Sequence, residues 1–347
     1  MRTVVFGAGA VGGYVGGFLA HNGYDVTLVD LWAAHINAIR QRGLELSGPE
    51  GTTVTTPRIL GIGEVSSLVK SEPIDVGFVA VKSYDTEWIA TLAKPYLADD
   101  GCLVSLQNCL NEDTIARVVG RERTLGCVVA SISVALFEPG RIRRERARRT
   151  DGHNVFRVGE LDGRNTARAE LIAHALQSVD NATVTDNLPG ERWSKLANNA
   201  MNSGIAATTG LSAKQGMADP LLRSFMIDLA TEAVKVATAL GHRLEKIGKI
   251  DAGLFAEAAN GNGTARVELD RRLESHSDSG PAERLSSMGQ DVQKGRRTEI
   301  DFLNGYVVEM GREAGVPTPA NARVVEMVRR IERGSLAPDI RNVLEIA

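Results

Sequence analysis

Apolar residues in the first 130 positions fall into short valine-rich runs: Thr3 to Phe6, Asp25 to Val29, Val76 to Val81, Leu103 to Leu106 and Leu125 to Ser131. Helix-compatible stretches separate them, and this rhythm predicts a parallel sheet with crossover helices. From Arg141 to Glu160 the texture changes to short polar and apolar segments with Gly140, Gly152 and Gly159, which predicts twisted antiparallel strands closing that sheet. Beyond about Arg192 the β-branched runs stop. Apolar residues then recur every three or four positions, as in Leu221, Phe225, Leu229, Ala233, Val236 and Leu240, so the second part is helical. Asn187, Pro189 and Gly190 form a turn cluster that puts the boundary near Asp186 to Gly190. The chain is thus expected to comprise an α/β domain over 1–188 and an all-helical domain over 189–347, in keeping with a length of 347 residues.

Composition narrows the function classes. With 43% hydrophobic residues, 24% charged residues and a net charge of -3, the chain has no overall basic field to attract nucleic acid. Six arginines crowd Arg141 to Arg149, where a solvated hairpin is the plain reading and a phosphate contact the sharper one. Cys102, Cys109 and Cys127 are odd in number and lack metal-ligand spacing, so no metal site and a reducing, cytoplasmic compartment are expected. No apolar run approaches the roughly 18 residues of a membrane span. The polar stretch Ser275 to Glu283 reads as a surface loop.

The most informative pattern lies at the N-terminus. Thr3 to Phe6 runs into Gly7-Ala8-Gly9-Ala10-Val11-Gly12, the G-x-G-x-x-G spacing between a strand and a helix. Gly7 permits the tight turn, Gly9 lets N–H groups approach a diphosphate, and Gly12 lets the helix pack on the strand. This predicts a Rossmann-type dinucleotide-binding domain. Asp30 ends the second strand, where a carboxylate hydrogen-bonds ribose hydroxyls and repels a 2′-phosphate; with Leu31 and Trp32 following, NAD is favoured over NADP. Strands ending at Val81-Lys82 and Leu106-Gln107-Asn108 bring Lys82 and Asn108 to the same crevice.

In the helical part, Lys195, Asn199, Asn202 and Ser203 share one side of a helix over Glu191 to Gly210. Further on, Ser287 and Gln290 have capping-box spacing and predict a helix start. Gly295 interrupts that helix, and Thr298 is the expected cap of the next one.

Over nearly its whole length the sequence resembles the ketopantoate reductase (2-dehydropantoate 2-reductase) family. The resemblance rests on the N-terminal loop, Val81-Lys82, Gln107-Asn108, Trp193-Ser194-Lys195-Leu196 with Asn199, and above all Ser286-Ser287-Met288-Gly289-Gln290-Asp291 followed by Arg297-Thr298-Glu299-Ile300-Asp301. It implies reduction of a 2-oxo acid by a nicotinamide cofactor, with Lys195 as general acid and Glu299 contacting that lysine and the substrate hydroxyl. It further implies Asn199 and Ser287 as substrate ligands, and Lys82 and Asn108 at the cofactor interface. Two positions depart from the family. Ser203-Gly204 stands where the family carries asparagine and proline, with Asn202 available to compensate, and the arginine that suits NADP after the second strand is absent. A different hydroxy acid substrate and a non-catalytic NAD sensor are the alternatives; Lys195 and Glu299 argue against the sensor. The apolar stripe Leu221 to Leu240 is read as core or as a homodimer surface.

Overall fold

The valine-rich runs become the parallel centre of an eight-stranded sheet. The computed structural model describes residues 1–130, 132–148, 152–276 and 285–344, and the chain divides into two units, Met1–Leu188 and Pro189–Ala347. The first unit contains β1 (Arg2–Phe6), β2 (Asp25–Asp30), β3 (Leu44–Gly48), β4 (Gly51–Thr55), β5 (Arg58–Gly61), β6 (Ile74–Val79), β7 (Leu97–Ser105), β8 (Thr124–Val129), β9 (Val134–Glu138), β10 (Arg141–Arg144), β11 (Phe156–Glu160) and β12 (Ala182–Val184). Its helices are α1 (Ala10–His21), α2 (Ala33–Arg42), α3 (Thr86–Ala93), α4 (Glu112–Val119) and α5 (Ala167–Gln177). The large sheet runs β12-β11-β8-β7-β6-β1-β2-β5, parallel except where β11 meets β8. The order reverses at β1, which pairs with β2 on one side and β6 on the other, and this reversal opens a ligand crevice at the strand carboxyl ends. Val5 and Leu28 join one buried cluster and Val4, Phe6 and Val29 another, so both faces are covered. That double burial is why the runs are continuously apolar.

The expectation for Arg141 to Glu160 needs correcting. Only β11 extends the large sheet; β10 pairs with β9 and β3 in a separate four-stranded sheet, β4-β3-β10-β9. Periodicity does not reveal this sheet because it joins strands about a hundred positions apart. It packs on α1, and the Gly-Gly pairs of that helix serve its two neighbours separately. A Cβ on Gly16 would lie 2.5 Å from Leu28, whereas on Gly13 it would meet Ile142 of the second sheet at 2.5 Å and on Gly17 Leu44 and Leu46 at 2.9 Å.

The basic stretch is not a free hairpin either. Arg141 pairs with Glu45 and Glu138, Arg144 forms an ion pair with Asp180 in which both side chains are buried, and Arg148 lies 4.9 Å from the centre of the Phe18 ring. Arg149 and Ser131 lie outside the described residues, as do residues 277–283 of the expected surface loop. Cys102, Cys109 and Cys127 are buried, and burial pushes the Cys102 thiol up to about 12.

The second unit is helical: α6 (Leu188–Thr209), α7 (Ala213–Ala218), α8 (Pro220–Ala239), α9 (Ala252–Ala259), α10 (Gly263–His276), α11 (Ser287–Gln293), α12 (Asn304–Glu313), α13 (Pro319–Glu332) and α14 (Arg341–Leu344). The stripe in α8 is core: Phe225, Leu229, Ala233 and Val236 are buried, Leu240 is half-buried, and Leu221 is exposed. Among the described residues no helix is long and apolar enough to cross a membrane.

Candidate active site

The glycine loop has the geometry its spacing requires. Gly7 adopts φ +99°, and a Cβ there would lie 2.8 Å from the Ala80 carbonyl oxygen, so the turn excludes side chains. A Cβ on Gly12 would fall 2.0 Å from the Gly7 oxygen; a Cβ on Gly9 would meet nothing within 4 Å, leaving its approach open. Gly9 caps α1 without a side-chain bond. The first-turn N–H groups of Ala10, Val11 and Gly12 therefore have no intrahelical acceptors, and with the helix dipole they form an anion-binding end.

Asp30 is tied to this loop. One carboxylate oxygen accepts from the Ala8 N–H and the other from the Trp32 N–H, each at 2.8 Å. Each oxygen keeps a further lone pair for a ribose hydroxyl. His35, which no pattern in the sequence singles out, is buried; its Nδ1 accepts from the Gly140 N–H and its Nε2 lies 2.9 Å from the Ala8 oxygen.

Lys82 and Asn108 sit beyond the strand ends instead of on them, since β6 stops at Val79 and β7 at Ser105. Side chains hold the two connections together. Gln107 Nε2 donates to the Val81 carbonyl at 2.9 Å, just before Lys82, and Asn111 Nδ2 donates to Ser83 at 3.1 Å, just after it. Asn111 also donates to the Asn108 carbonyl at 2.8 Å. Asn111 was not foreseen, because a polar residue opening a helix reads as an ordinary cap.

In the second unit α6 is buried throughout Glu191 to Thr209 except at Lys195, Asn198, Asn199 and Asn202. The neighbours of Lys195 set the helix rotation. Trp193 stacks on His242 and lies tilted to Tyr306, with ring centres 5.9 and 5.7 Å away, while Ser194 Oγ donates to the Gly190 carbonyl and accepts from the Glu245 N–H at 2.8 Å. Ser203 is buried, away from the accessible stripe, whereas Asn202 is on it. Asn202 Nδ2 donates to Asn198 Oδ1 at 3.2 Å, and Asn202 Oδ1 is buried without a partner. Asn198 was missed, although three asparagines within five helical positions were a signal.

Around α6 lie the other two predicted residues. Ser286, not Ser287, caps α11 by accepting from the Gly289 N–H at 3.2 Å, which leaves the exposed Ser287 hydroxyl outside the capping role. The helix packs close to α6, since a Cβ on Gly289 would lie 3.1 Å from Ala206. Glu299 is 6% exposed and precedes a short 3₁₀ turn, Ile300–Phe302; α12 begins only at Asn304, later than Thr298 as a cap implies. Thr298 Oγ1 instead accepts from the Ile300 N–H at 3.2 Å. Asn304 Nδ2 donates to the Ala200 carbonyl of α6 at 3.2 Å and to Asn321 at 2.9 Å, joining α6, α12 and α13.

Family models match both units. The family model described as "Ketopantoate reductase PanE/ApbA" matches residues 3–159, and its companion "Ketopantoate reductase PanE/ApbA C terminal" matches residues 187–332. A 2-dehydropantoate 2-reductase of Halobacterium salinarum is 30% identical over 339 residues, covering 96% of this chain and 99% of its own. One from Archaeoglobus fulgidus is 28% identical over 339 residues, covering 96% and 98%. The crystal structure of a PanE/ApbA family ketopantoate reductase from Ralstonia eutropha JMP134 superposes with a TM-score of 0.79 at 27% identity, covering 96% of this chain and 99% of that one. The chain belongs to the ketopantoate reductase family.

Proposed function

We propose that this chain reduces 2-dehydropantoate to pantoate with a nicotinamide dinucleotide as hydride donor, the first unit holding the cofactor and the second carrying the proton donor. The observation that carries the reading is the accessible stripe of α6: a helix otherwise buried from Glu191 to Thr209 presents one ammonium and three primary amides. The near full-length match to relatives named 2-dehydropantoate 2-reductases supports it.

The glycine loop, Asp30, Lys82 and Asn108 fit a dinucleotide, whose nicotinamide ring supplies the hydride when bound. The protein's own task is to manage charge and protons. Reduction of the C2 carbonyl builds negative charge on its oxygen, and the Lys195 ammonium stabilises that charge and donates the proton. A carboxylate as buried as Glu299 requires a compensating partner, and we assign it to orienting Lys195 and contacting the product hydroxyl. The Asn199 amide and Ser287 hydroxyl donate to the substrate carboxylate. Asn202, on the same accessible stripe, is assigned as a further substrate ligand.

For the cofactor we assign NAD in preference to NADP, because Asp30 puts a negative charge beside the ribose and no arginine follows it. The three buried cysteine thiols support a reducing, cytoplasmic compartment. A different 2-oxo acid is the second reading, favoured by the burial of Ser203 where the family carries asparagine. Measuring NADH and NADPH oxidation against a panel of 2-oxo acids tests all of this. The expected result is fastest turnover with 2-dehydropantoate and NADH, the NADH preference narrowing in Asp30→Ala. No turnover with any member would overturn the enzymatic reading, and a wild-type preference for NADPH the assignment to Asp30.

A further inference from the structure

We infer that His35 is a positioning residue for the diphosphate subsite, holding the glycine loop open through the Ala8 carbonyl. Ala8, the middle residue of Gly7-Ala8-Gly9, has both backbone polar groups taken from the β2–α2 side: Asp30 accepts its N–H at 2.8 Å, and His35 Nε2 lies 2.9 Å from its carbonyl oxygen. The histidine tautomer is fixed by its other contact. Because the Gly140 N–H donates to Nδ1 at 2.9 Å, the neutral ring carries its proton on Nε2 and donates to Ala8. The Trp32 ring stacks on the imidazole, with centres 5.7 Å apart and planes within 11°, which limits its rotation. On the far side Gly13 leaves the space: a Cβ there would sit 2.6 Å from the Ala8 oxygen.

One buried side chain thus links the loop, α2 and the β9–β10 turn. Gripping Ala8 at both ends leaves Gly9 and the first-turn N–H groups of α1 pointed at a diphosphate without local competitors. The inference rests on reading this loop as the dinucleotide site. Burial holds the His35 proton affinity below its ordinary value, against the opposing pull of Asp30 on β2 and of the Ala8 carbonyl. The other charged groups near Gly140 are engaged elsewhere, Glu138 with Arg141 and Arg42 with the Pro139 carbonyl.

Two substitutions separate the contacts. His35→Gln keeps a donor near Nε2 and loses the acceptor for Gly140; His35→Asn keeps an acceptor near Nδ1 and loses the donor to Ala8. Binding of NADH, and of ADP-ribose as a probe retaining the diphosphate, is titrated on wild type and both variants, with thermal melting alongside. The expected outcome is about tenfold weaker binding of both ligands to His35→Asn and near wild-type binding to His35→Gln, whatever their melting temperatures. Equal affinities in the two variants, or losses that follow melting temperature, would overturn the inference. Failure of wild type to bind either ligand would overturn the dinucleotide reading itself.

Discussion

At the scale of single residues, glycines in one helix do different work, and substitution separates them. Gly13→Val puts carbon against the Ala8 oxygen and Ile142 within 2.6 Å, an overpacking that costs about 1–3 kcal/mol and should appear as a lowered melting temperature. Gly9→Ala meets nothing within 4 Å in the chain, so it should fold normally and bind NADH more weakly, its methyl standing where a phosphate approaches. Normal NADH affinity in Gly9→Ala would contradict the loop's assignment. Gly7, Gly9 and Gly12 were legible because their spacing is itself the signal. Gly13 and Gly17 were not, since their reason is a second sheet that local periodicity cannot reveal. His35 escaped for the same cause: its partners lie 27 and 105 positions away.

At the scale of elements, the helix starts around α6 show how adjacent serines divide labour. Ser286 caps α11, so Ser286→Ala should cost about 1 kcal/mol of stability. Ser287→Ala, one position on, should leave the melting temperature unchanged and raise the KM for the 2-oxo acid; the reverse pattern would return the capping role to Ser287. Spacing alone put the cap on Ser287, since serine and glutamine three apart satisfy the capping-box pattern. The fold uses Ser286 instead and spends Gln290 on the Leu285 carbonyl at 3.1 Å. The polar side of α6 was legible from Lys195, Asn199 and Asn202. What rotates it was not: Ser194 bonds to Glu245 and Asn304 to Ala200, and both depend on loops and helices far along the chain. The delayed start of α12 has the same character, with the Thr298 N–H donating to Glu332 at 2.6 Å rather than opening a helix.

At the scale of the whole molecule, the sequence divides its work by texture: β-branched runs for the unit with the glycine loop, three-and-four periodicity for the unit with Lys195. Both textures follow from which faces are buried, so the fold class was readable before any contact was known. The substrate is written less plainly, because Ser203 is buried and Asn198 and Asn202 form a pair at the accessible surface of α6. The most direct measurement takes wild type and Lys195→Met through 2-dehydropantoate-dependent oxidation of NADH, with NADH affinity titrated in parallel. Lys195→Met is expected to lose roughly 10²-fold or more of the rate, the usual contribution of a positioned general acid, while binding NADH as tightly as wild type. A variant that keeps its rate, or whose rate falls only as far as its NADH affinity does, would contradict the assignment of Lys195 as proton donor.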